Sequence, residues 1–133
     1  MTESPADAPF ATLSGHRYMR LTTYRRNDTP VSTAVWFAEA NDGTLWVMTP
    51  HTTGKVKRVR RNPAAQVVPS TPRGRALGPA LAGVVDIVDD VQRARSANEA
   101  LRKKYGWMKR GLDLLLWLRR GHWIYLRIHA ANQ

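Results

Sequence analysis

The fold class is decided by the stretch Val31-Ser32-Thr33-Ala34-Val35-Trp36-Phe37-Ala38. Its odd-numbered residues are β-branched or aromatic, and an extended chain places them on the face opposite to its even-numbered residues. The triplet Asn41-Asp42-Gly43 then predicts a tight turn. Residues 44–49 alternate in the same way and predict a returning strand. An antiparallel hairpin is therefore expected at the centre of the fold.

Further strands extend this hairpin on both sides. They are predicted at residues 17–24, 65–70, 80–88 and 122–129, with turns at 26–30 and 71–75 and with Gly83 as a bulge or a close approach. Helices are predicted from Thr52 or Thr53 to Asn62, from Asp89 to Lys104 and over residues 108–119. The pattern indicates a mainly β fold with helices (α+β), a small six-stranded antiparallel barrel whose last strand closes the sheet.

Composition places the chain among single-domain globular proteins. It has 133 residues, 43% of them hydrophobic, and no cysteine, which excludes disulfides and thiolate metal sites. Residues 1–11 are expected to form a disordered tail and residues 12–133 the domain. Since no apolar run approaches a membrane span and the first residues do not resemble a secretory signal, a cytoplasmic location without integral membrane association is expected.

The charge is strongly positive and unevenly distributed. The chain carries a formal net charge of +11, and residues 51–75 contain seven basic and no acidic residues. This balance predicts an anionic partner, which leaves nucleic acid, an acidic lipid surface and a small phosphorylated ligand open. Five tryptophans favour nucleic acid, although the strand patterns predict that several of them are buried.

Side-chain catalysis finds no support in the sequence. The four histidines are scattered, so no metal site is predicted, and no serine lies in a nucleophile elbow. Neither a dinucleotide-binding fingerprint nor a Walker loop is present. Asp89 and Asp90 are explained more simply as helix-capping residues.

The segment from Thr49 to Arg61 carries a different kind of chemistry. A strand leads through two threonine hydroxyls and Gly54 into a short basic helix, where free backbone N–H groups attract an anion. The missing side chain of Gly54 would let the anion approach closely. Lys55, Arg58 and either Arg61 or Asn62 share one face, while Val56 and Val59 anchor the other face. From these residues alone, a phosphate site and a capped surface helix are equally well supported.

At this segment the chain resembles a known family. Residues 29–38, 53–63 and 73–79, together with Leu21-Thr22-Thr23-Tyr24, closely resemble the pyridoxamine-phosphate-oxidase-like split-barrel family. Lys103-Lys104-Tyr105-Gly106 is similar to the subgroup that uses the deazaflavin coenzyme F420. Asn27-Asp28 and Thr53 depart from the subgroup's more common Asp-Gly and serine.

The resemblance implies a six-stranded split barrel that forms a homodimer, with the cofactor in a groove between the subunits. The strand facing the ring system would be residues 32–36, and the partner would contribute residues 70–78. The implied cofactor-binding residues are Ser32, Thr33, Val35, Trp36, Thr49, Thr52, Thr53, Gly54, Lys55, Arg58, Arg61 and Arg73.

The activity implied by the resemblance is hydride transfer between F420 and a small conjugated or unsaturated substrate. FMN as the cofactor, F420 binding without turnover, and a basic nucleic-acid-binding module are the alternatives. A membrane-surface helix at residues 102–120 is a further possibility. No catalytic side chain is predicted, because the cofactor supplies the chemistry, and the proton donor would be solvent, Tyr24 or His51.

Overall fold

The computed structural model describes residues 9–50, 52–88, 91–106 and 123–131. Its strands form one antiparallel sheet in the order β2-β1-β5-β6-β7-β4-β3. The strands are β1 (Tyr18–Tyr24), β2 (Pro30–Trp36), β3 (Ala38–Glu39), β4 (Leu45–Pro50), β5 (Ala64–Pro69), β6 (Leu81–Val88) and β7 (Trp123–Ala130); the helices are α1 (Gly54–Arg61) and α2 (Val91–Tyr105).

The sheet curls into a barrel. Strands β2 and β3 are the two ends of the strand order, yet only Phe37 separates them along the chain. The two edges must therefore meet at this residue. A curled antiparallel sheet with helices fits the expected split-barrel α+β architecture.

The strand count differs from the expected six, because the stretch predicted as one strand at residues 31–38 divides at Phe37. The buried Tyr105 hydroxyl accepts a hydrogen bond from the Phe37 N–H at 3.2 Å and lies 2.5 Å from the Phe37 carbonyl oxygen. A side chain thus engages the backbone groups that a neighbouring strand would otherwise use. Residues before Phe37 pair with β1, and residues after it pair with β4.

The barrel interior is filled by alternate residues of the strands. The fully buried members include Met19, Leu21, Leu45, Val47, Val67, Ile124, Leu126 and Ile128. Helix α1 packs Val56 and Val59 against this core, as the sequence predicted. Burial of such a side chain contributes about 1.5–3 kcal/mol, which fixes the helix at the end of the barrel.

The core also extends towards the N-terminus. Phe10, which the sequence analysis placed in the tail, is buried, and a short 3-10 turn at Ala11–Leu13 follows it. An aromatic side chain gains more from burial than the local proline-rich composition suggests.

The turns follow the sequence predictions. Asp28 adopts a left-handed backbone with φ 68°, and the Asn27 side chain accepts a hydrogen bond from the Thr29 N–H. In the hairpin between β3 and β4, the Ala40 N–H donates to the Thr44 carbonyl, and the Thr44 N–H donates to the Asp42 carboxylate. Gly83 is a close approach rather than a bulge, because a Cβ there would lie 2.9 Å from the Ile128 side chain in otherwise regular pairing.

Helix α2 covers one outer face of the barrel, over β3, β4 and β7. Its Ala97, Leu101 and Tyr105 pack against outward residues such as Trp46 and Ala38. The chain leaves the helix at Gly106, whose N–H donates to the Arg102 carbonyl. The predicted helix at residues 108–119 and the predicted caps Asp89 and Asp90 lie outside the described residues.

Candidate functional site at the start of helix α1

The turn between β4 and α1 brings threonine hydroxyls and a helix start together. Thr53 is the residue that precedes the helix, with an extended backbone. Its hydroxyl lies 3.1 Å from the Thr49 hydroxyl and donates to the Pro50 carbonyl at 3.2 Å. These two hydroxyls therefore stabilise the turn, while the exposed Thr52 makes no described contact of this kind.

The first backbone N–H groups of the helix have no acceptor among the residues that the structure describes. The Lys57 N–H is the first to donate within the helix, to the Thr53 carbonyl at 3.4 Å. No described residue accepts from the Gly54 or Lys55 N–H, and the Thr53 side chain does not cap the helix. Free N–H groups at the positive end of the helix dipole form a site for an anion.

Four cations lie along this helix and beside it. Lys55, Arg58 and Arg61 come from α1, and Arg25 follows the end of β1. Burial, together with the neighbouring charges of Arg25 and Arg61, lowers the pKa of Arg58, and burial with the Arg58 charge lowers the pKa of Lys55. Burial is the larger cause of both shifts, and the neighbouring positive charges act in the same direction.

No carboxylate among the described residues offsets this charge. Among the residues that the structure describes, the ion pairs involve Lys104, Arg127 and His129, and none includes the four cations around α1. Arg61 instead donates to the Tyr24 carbonyl at 3.2 Å. A bound anion would relieve the repulsion, so the cluster and the open N–H groups fit a phosphate.

Arg58 is held by a contact that the sequence analysis did not predict. Its Nε donates to the hydroxyl of Thr23 on β1 at 2.6 Å. Thr23 is a buried polar residue on the same strand face as Met19 and Leu21. The signal for Thr23 was a threonine among the apolar inward residues of β1. The signal for Arg25 was the pair of arginines that follows β1.

The structure gives a different reason for a glycine at position 54 from the one that the sequence suggested. The sequence suggested that its missing side chain lets an anion approach closely. In the structure, a Cβ at this position would lie 2.7 Å from Nη1 of Arg58, so the guanidinium occupies that space. Gly54 therefore makes room for Arg58 whether or not it also admits a ligand.

The four predicted ring-contact residues of β2 divide between two faces. Thr33 and Val35 pair with Leu21 and Met19 on the inward side, and Val35 packs against the core. Ser32 is exposed on the outward side, where its hydroxyl lies 2.7 Å from that of Thr22. A planar ring on the outer face would therefore meet Ser32 and Trp36, and contact with any of the four stays a prediction.

Trp36 is already engaged by two tyrosines. Its indole stacks on the Tyr105 ring with centroids 5.2 Å apart and meets the Tyr18 ring edge-on at 6.0 Å. Burial raises the pKa of Tyr105 to about 12, so the phenol is neutral and its hydroxyl remains a hydrogen-bond donor. The Trp36 side chain is therefore held in place by the two tyrosine rings.

Arg73 does not join the cations of its own chain. Strand β5 begins beside the end of α1 and runs six residues away from it, roughly 20 Å, before the turn that holds Arg73. Only the Arg73 of another copy of this chain would come near α1, and that arrangement stays a prediction.

The described residues contain a second polar region. A cleft of about 900 Å³ lies between the hairpin after β3 and helix α2, lined by charged residues including Glu39, Asp42, Lys104 and Arg127. Four of its charges are paired, because Lys104 bonds to Glu39 and Arg127 lies 3.2 Å from Asp42. It is separate from the start of α1.

Two general features complete the description. In the ranges that the structure covers, no group of three histidine or acidic residues is arranged to hold a metal ion. No helix among those residues is long and apolar enough to cross a membrane. The suggested proton donor His51 lies outside the described residues.

The sequence model of the pyridoxamine 5'-phosphate oxidase family matches residues 7–131. The chain belongs to this family. The match extends over the whole barrel and over the site at the start of α1. No curated protein matches this chain.

Solved structures agree on the fold. The conserved hypothetical protein Rv2991 from Mycobacterium tuberculosis has a TM-score of 0.70 at 21% identity, with 98% of this chain and 82% of that chain covered. An FAD-binding protein from Mesorhizobium loti has a TM-score of 0.60 at 16% identity, with 90% of this chain and 83% of that chain covered. The heme storage protein HutZ from Vibrio cholerae has a TM-score of 0.65 at 14% identity, with 90% of this chain and 84% of that chain covered. At these identities the similarity concerns the fold.

Within this family fold, the described residues of the α1 site meet the chemical needs of a phosphate group. The site offers open backbone N–H groups, a cationic amine and a guanidinium, which are the donors that bind phosphate in proteins.

Proposed function

We propose that this chain is an oxidoreductase that holds the phosphate of coenzyme F420 at the start of α1 and transfers hydride between F420 and a small conjugated or unsaturated substrate. The single observation that carries the proposal is the uncompensated cation cluster around the open N–H groups of Gly54 and Lys55. Family membership supports the oxidoreductase class.

Each residue of the site has a defined task in this proposal. The Gly54 and Lys55 N–H groups donate to the phosphate, Lys55 and Arg58 neutralise its charge, and the exposed Thr52 adds a hydroxyl donor. Ser32 and Trp36 line the side of β2 on which the ring system would lie. When bound, the cofactor supplies the hydride chemistry, and the chain's residues bind and orient it.

The extent of positive charge favours F420 over FMN. FMN ends in one phosphate group, whereas F420 carries a phosphodiester followed by a polyglutamate tail. Positive residues continue beyond the helix start, with Arg61 at the end of α1 and Arg25 and Arg26 after β1. FMN is the alternative cofactor of the same site, and binding of F420 without turnover is the alternative to an enzyme.

A homodimer is part of the proposal. The outward residues of β2, β1 and β5 are small, aromatic or uncharged, except for Arg20. Copies of a chain with a net charge of +11 repel one another, so an uncharged face is where they would meet. Leu77, which follows β5, is the large hydrophobic residue described as exposed, at 53%.

The outer face of β1 also contains an incompletely bonded cation. Nε of Arg20 is buried without a partner among the described residues, and Nη1 reaches the Gly74 carbonyl only at 3.4 Å. A second copy would bring acceptors to the Nη groups of this guanidinium. The turn at residues 71–75 of the second copy would then bring the Arg73 of that copy towards the groove.

The test is titration of the purified protein with F420 and with FMN, followed by fluorescence, combined with light scattering. We expect saturable binding of F420, weaker binding of FMN and the mass of a dimer. Failure of both cofactors to bind would contradict the proposal. Tighter binding of FMN than of F420 would instead support FMN as the cofactor. A monomer at micromolar concentration would remove the shared groove.

Turnover is a separate measurement. Oxidation of reduced F420 in the presence of small conjugated carbonyl or nitro compounds is expected if the chain is an enzyme. Tight binding without turnover of any acceptor would favour the carrier alternative.

A further inference from the structure

We infer that Thr23 is a positioning residue for the phosphate site, because its hydroxyl holds the guanidinium of Arg58 beside the start of α1. The inference rests on the proposed function of that site. It adds a residue from β1, in a different part of the barrel, to a site otherwise built from the turn and the helix.

The contact is specific and buried. Arg58 Nε donates to the Thr23 hydroxyl at 2.6 Å, although 35 residues separate them along the chain. Thr23 is 1% exposed and belongs to a strand that pairs on one side with β2 and on the other with β5. The anchor point is therefore rigid.

The chemistry of the contact leaves the ligand side of Arg58 open. Only Nε is used, and no described residue accepts from either Nη group. The guanidinium has five N–H donors, so four remain after the tether is made. A pair of parallel N–H groups is the arrangement that binds phosphate in a bidentate manner.

The charges around Arg58 explain why a tether is needed. Arg25 and Arg61 repel the guanidinium, and Lys55 is close enough for the Arg58 charge to affect it. A free arginine side chain would turn towards solvent and away from these cations. Thr23 opposes that movement from one side, and the missing side chain of Gly54 leaves the space that the guanidinium occupies.

The first test compares Thr23→Val, which keeps the shape and removes the hydroxyl, with Thr23→Ser, which keeps the hydroxyl. Dissociation constants are measured for F420, FMN and inorganic phosphate. We expect affinity to fall about tenfold in Thr23→Val and to stay within about twofold of the wild type in Thr23→Ser. Thr44→Val, at a buried threonine of the distant hairpin, is the matched control with unchanged affinity.

The second test uses Gly54→Ala, which acts on the same guanidinium from an exposed helix position and does not disturb the core. Its Cβ should displace Arg58 and weaken binding by a similar factor. In an Arg58→Gln background, neither Thr23→Val nor Gly54→Ala should weaken binding further. This background separates a lost tether from direct obstruction of the ligand, and it applies even if Thr23→Val does not fold.

The outcomes separate this inference from the proposed function. If the wild type binds F420 or FMN, and folded Thr23→Val binds it equally well, the role of Thr23 is wrong while the proposed function stands. Additional losses in the Arg58→Gln background would also contradict that role. If the wild type binds neither cofactor, the proposed function is wrong, and the phosphate titrations decide the role of Thr23.

Discussion

Two regions of this molecule concentrate charged residues, and they use them differently. Around the hairpin after β3 and helix α2, Lys104 pairs with Glu39, and Arg127 lies 3.2 Å from Asp42 and 3.7 Å from Asp86. Around the start of α1, four cations have no described acidic partner. The paired charges of the first region connect elements of the fold, whereas we propose that the cations of the second bind an anion.

The comparison shows why net charge is a poor guide to a binding site. Both regions are rich in lysine and arginine, and the cleft beside α2 is large, at about 900 Å³. Burial lowers the pKa of Lys55, Arg58 and Lys104 alike, but neighbouring cations lower the pKa further at Lys55 and Arg58, whereas Glu39 opposes the shift at Lys104. An unpaired cluster is costly in the free protein, and that cost is recovered when an anion binds.

Removal of a cation from the α1 site should have the largest effect. In Lys55→Ala we expect the affinity for F420 to fall by about 1.5–3 kcal/mol, because a charge-assisted hydrogen bond is lost. The melting temperature should not fall, since repulsion with Arg58 is removed. Lys103→Ala, beside the α2 cleft, is the control, and an unchanged dissociation constant in Lys55→Ala would refute the phosphate site.

Removal of one hydroxyl from the α2 region should act on stability instead. Tyr105→Phe leaves the buried Phe37 N–H without its acceptor, and it removes the one O–H donor that lies within reach of the Phe37 and Arg17 carbonyls. We expect the free energy of unfolding to fall by about 1–3 kcal/mol. Denaturant unfolding measures this, and equal stability of the two proteins would mean that Tyr105 does not determine the division of β2 from β3.

A pair of arginine substitutions sharpens the contrast. Arg127→Gln removes contacts with two carboxylates and should lower the free energy of unfolding by up to about 1 kcal/mol. Arg25→Gln removes an uncompensated charge and should raise it by a few tenths of a kcal/mol while weakening F420 binding. Changes of the same sign in the two variants would contradict the difference between the regions.

The smallest expected effect is on the stability of the fold at acidic pH. Although partial burial raises the pKa of Asp42, hydrogen bonds from Thr44 and contact with Arg127 outweigh it, and the pKa lies below its ordinary value of 3.8. The carboxylate therefore stabilises the fold fully above that value and loses its contribution as the pH falls through the folded-state pKa. Unfolding curves between pH 5 and 2 should converge for the wild type and Asp42→Asn, and a constant difference would contradict this.

The sequence contained most of the fold because local signals agree with it. Alternation located the strands, Asn-Asp-Gly located the hairpin, and Val56 with Val59 predicted how α1 packs. The division at Phe37 was not predictable, because it depends on Tyr105, which lies 68 residues further along the chain. Phe10 was missed for a similar reason, since its burial comes from tertiary packing and not from its neighbours in sequence.

The candidate site was predictable in part. The threonine-glycine-lysine turn and the basic face of α1 could be identified from spacing alone, and the resemblance connected them with a phosphate. Thr23 was missed because its role depends on a contact between β1 and α1. The opposite orientation of Val35 and Trp36 follows from alternation, yet the resemblance had placed both at the ring.

The most direct test of this account is a crystal structure of the protein with F420 bound. We predict that the phosphate lies against the N–H groups of Gly54 and Lys55, with Lys55 and Arg58 in contact and Arg58 still bonded to Thr23. A phosphate bound in the cleft between the β3 hairpin and α2, with the start of α1 left open to solvent, would contradict it.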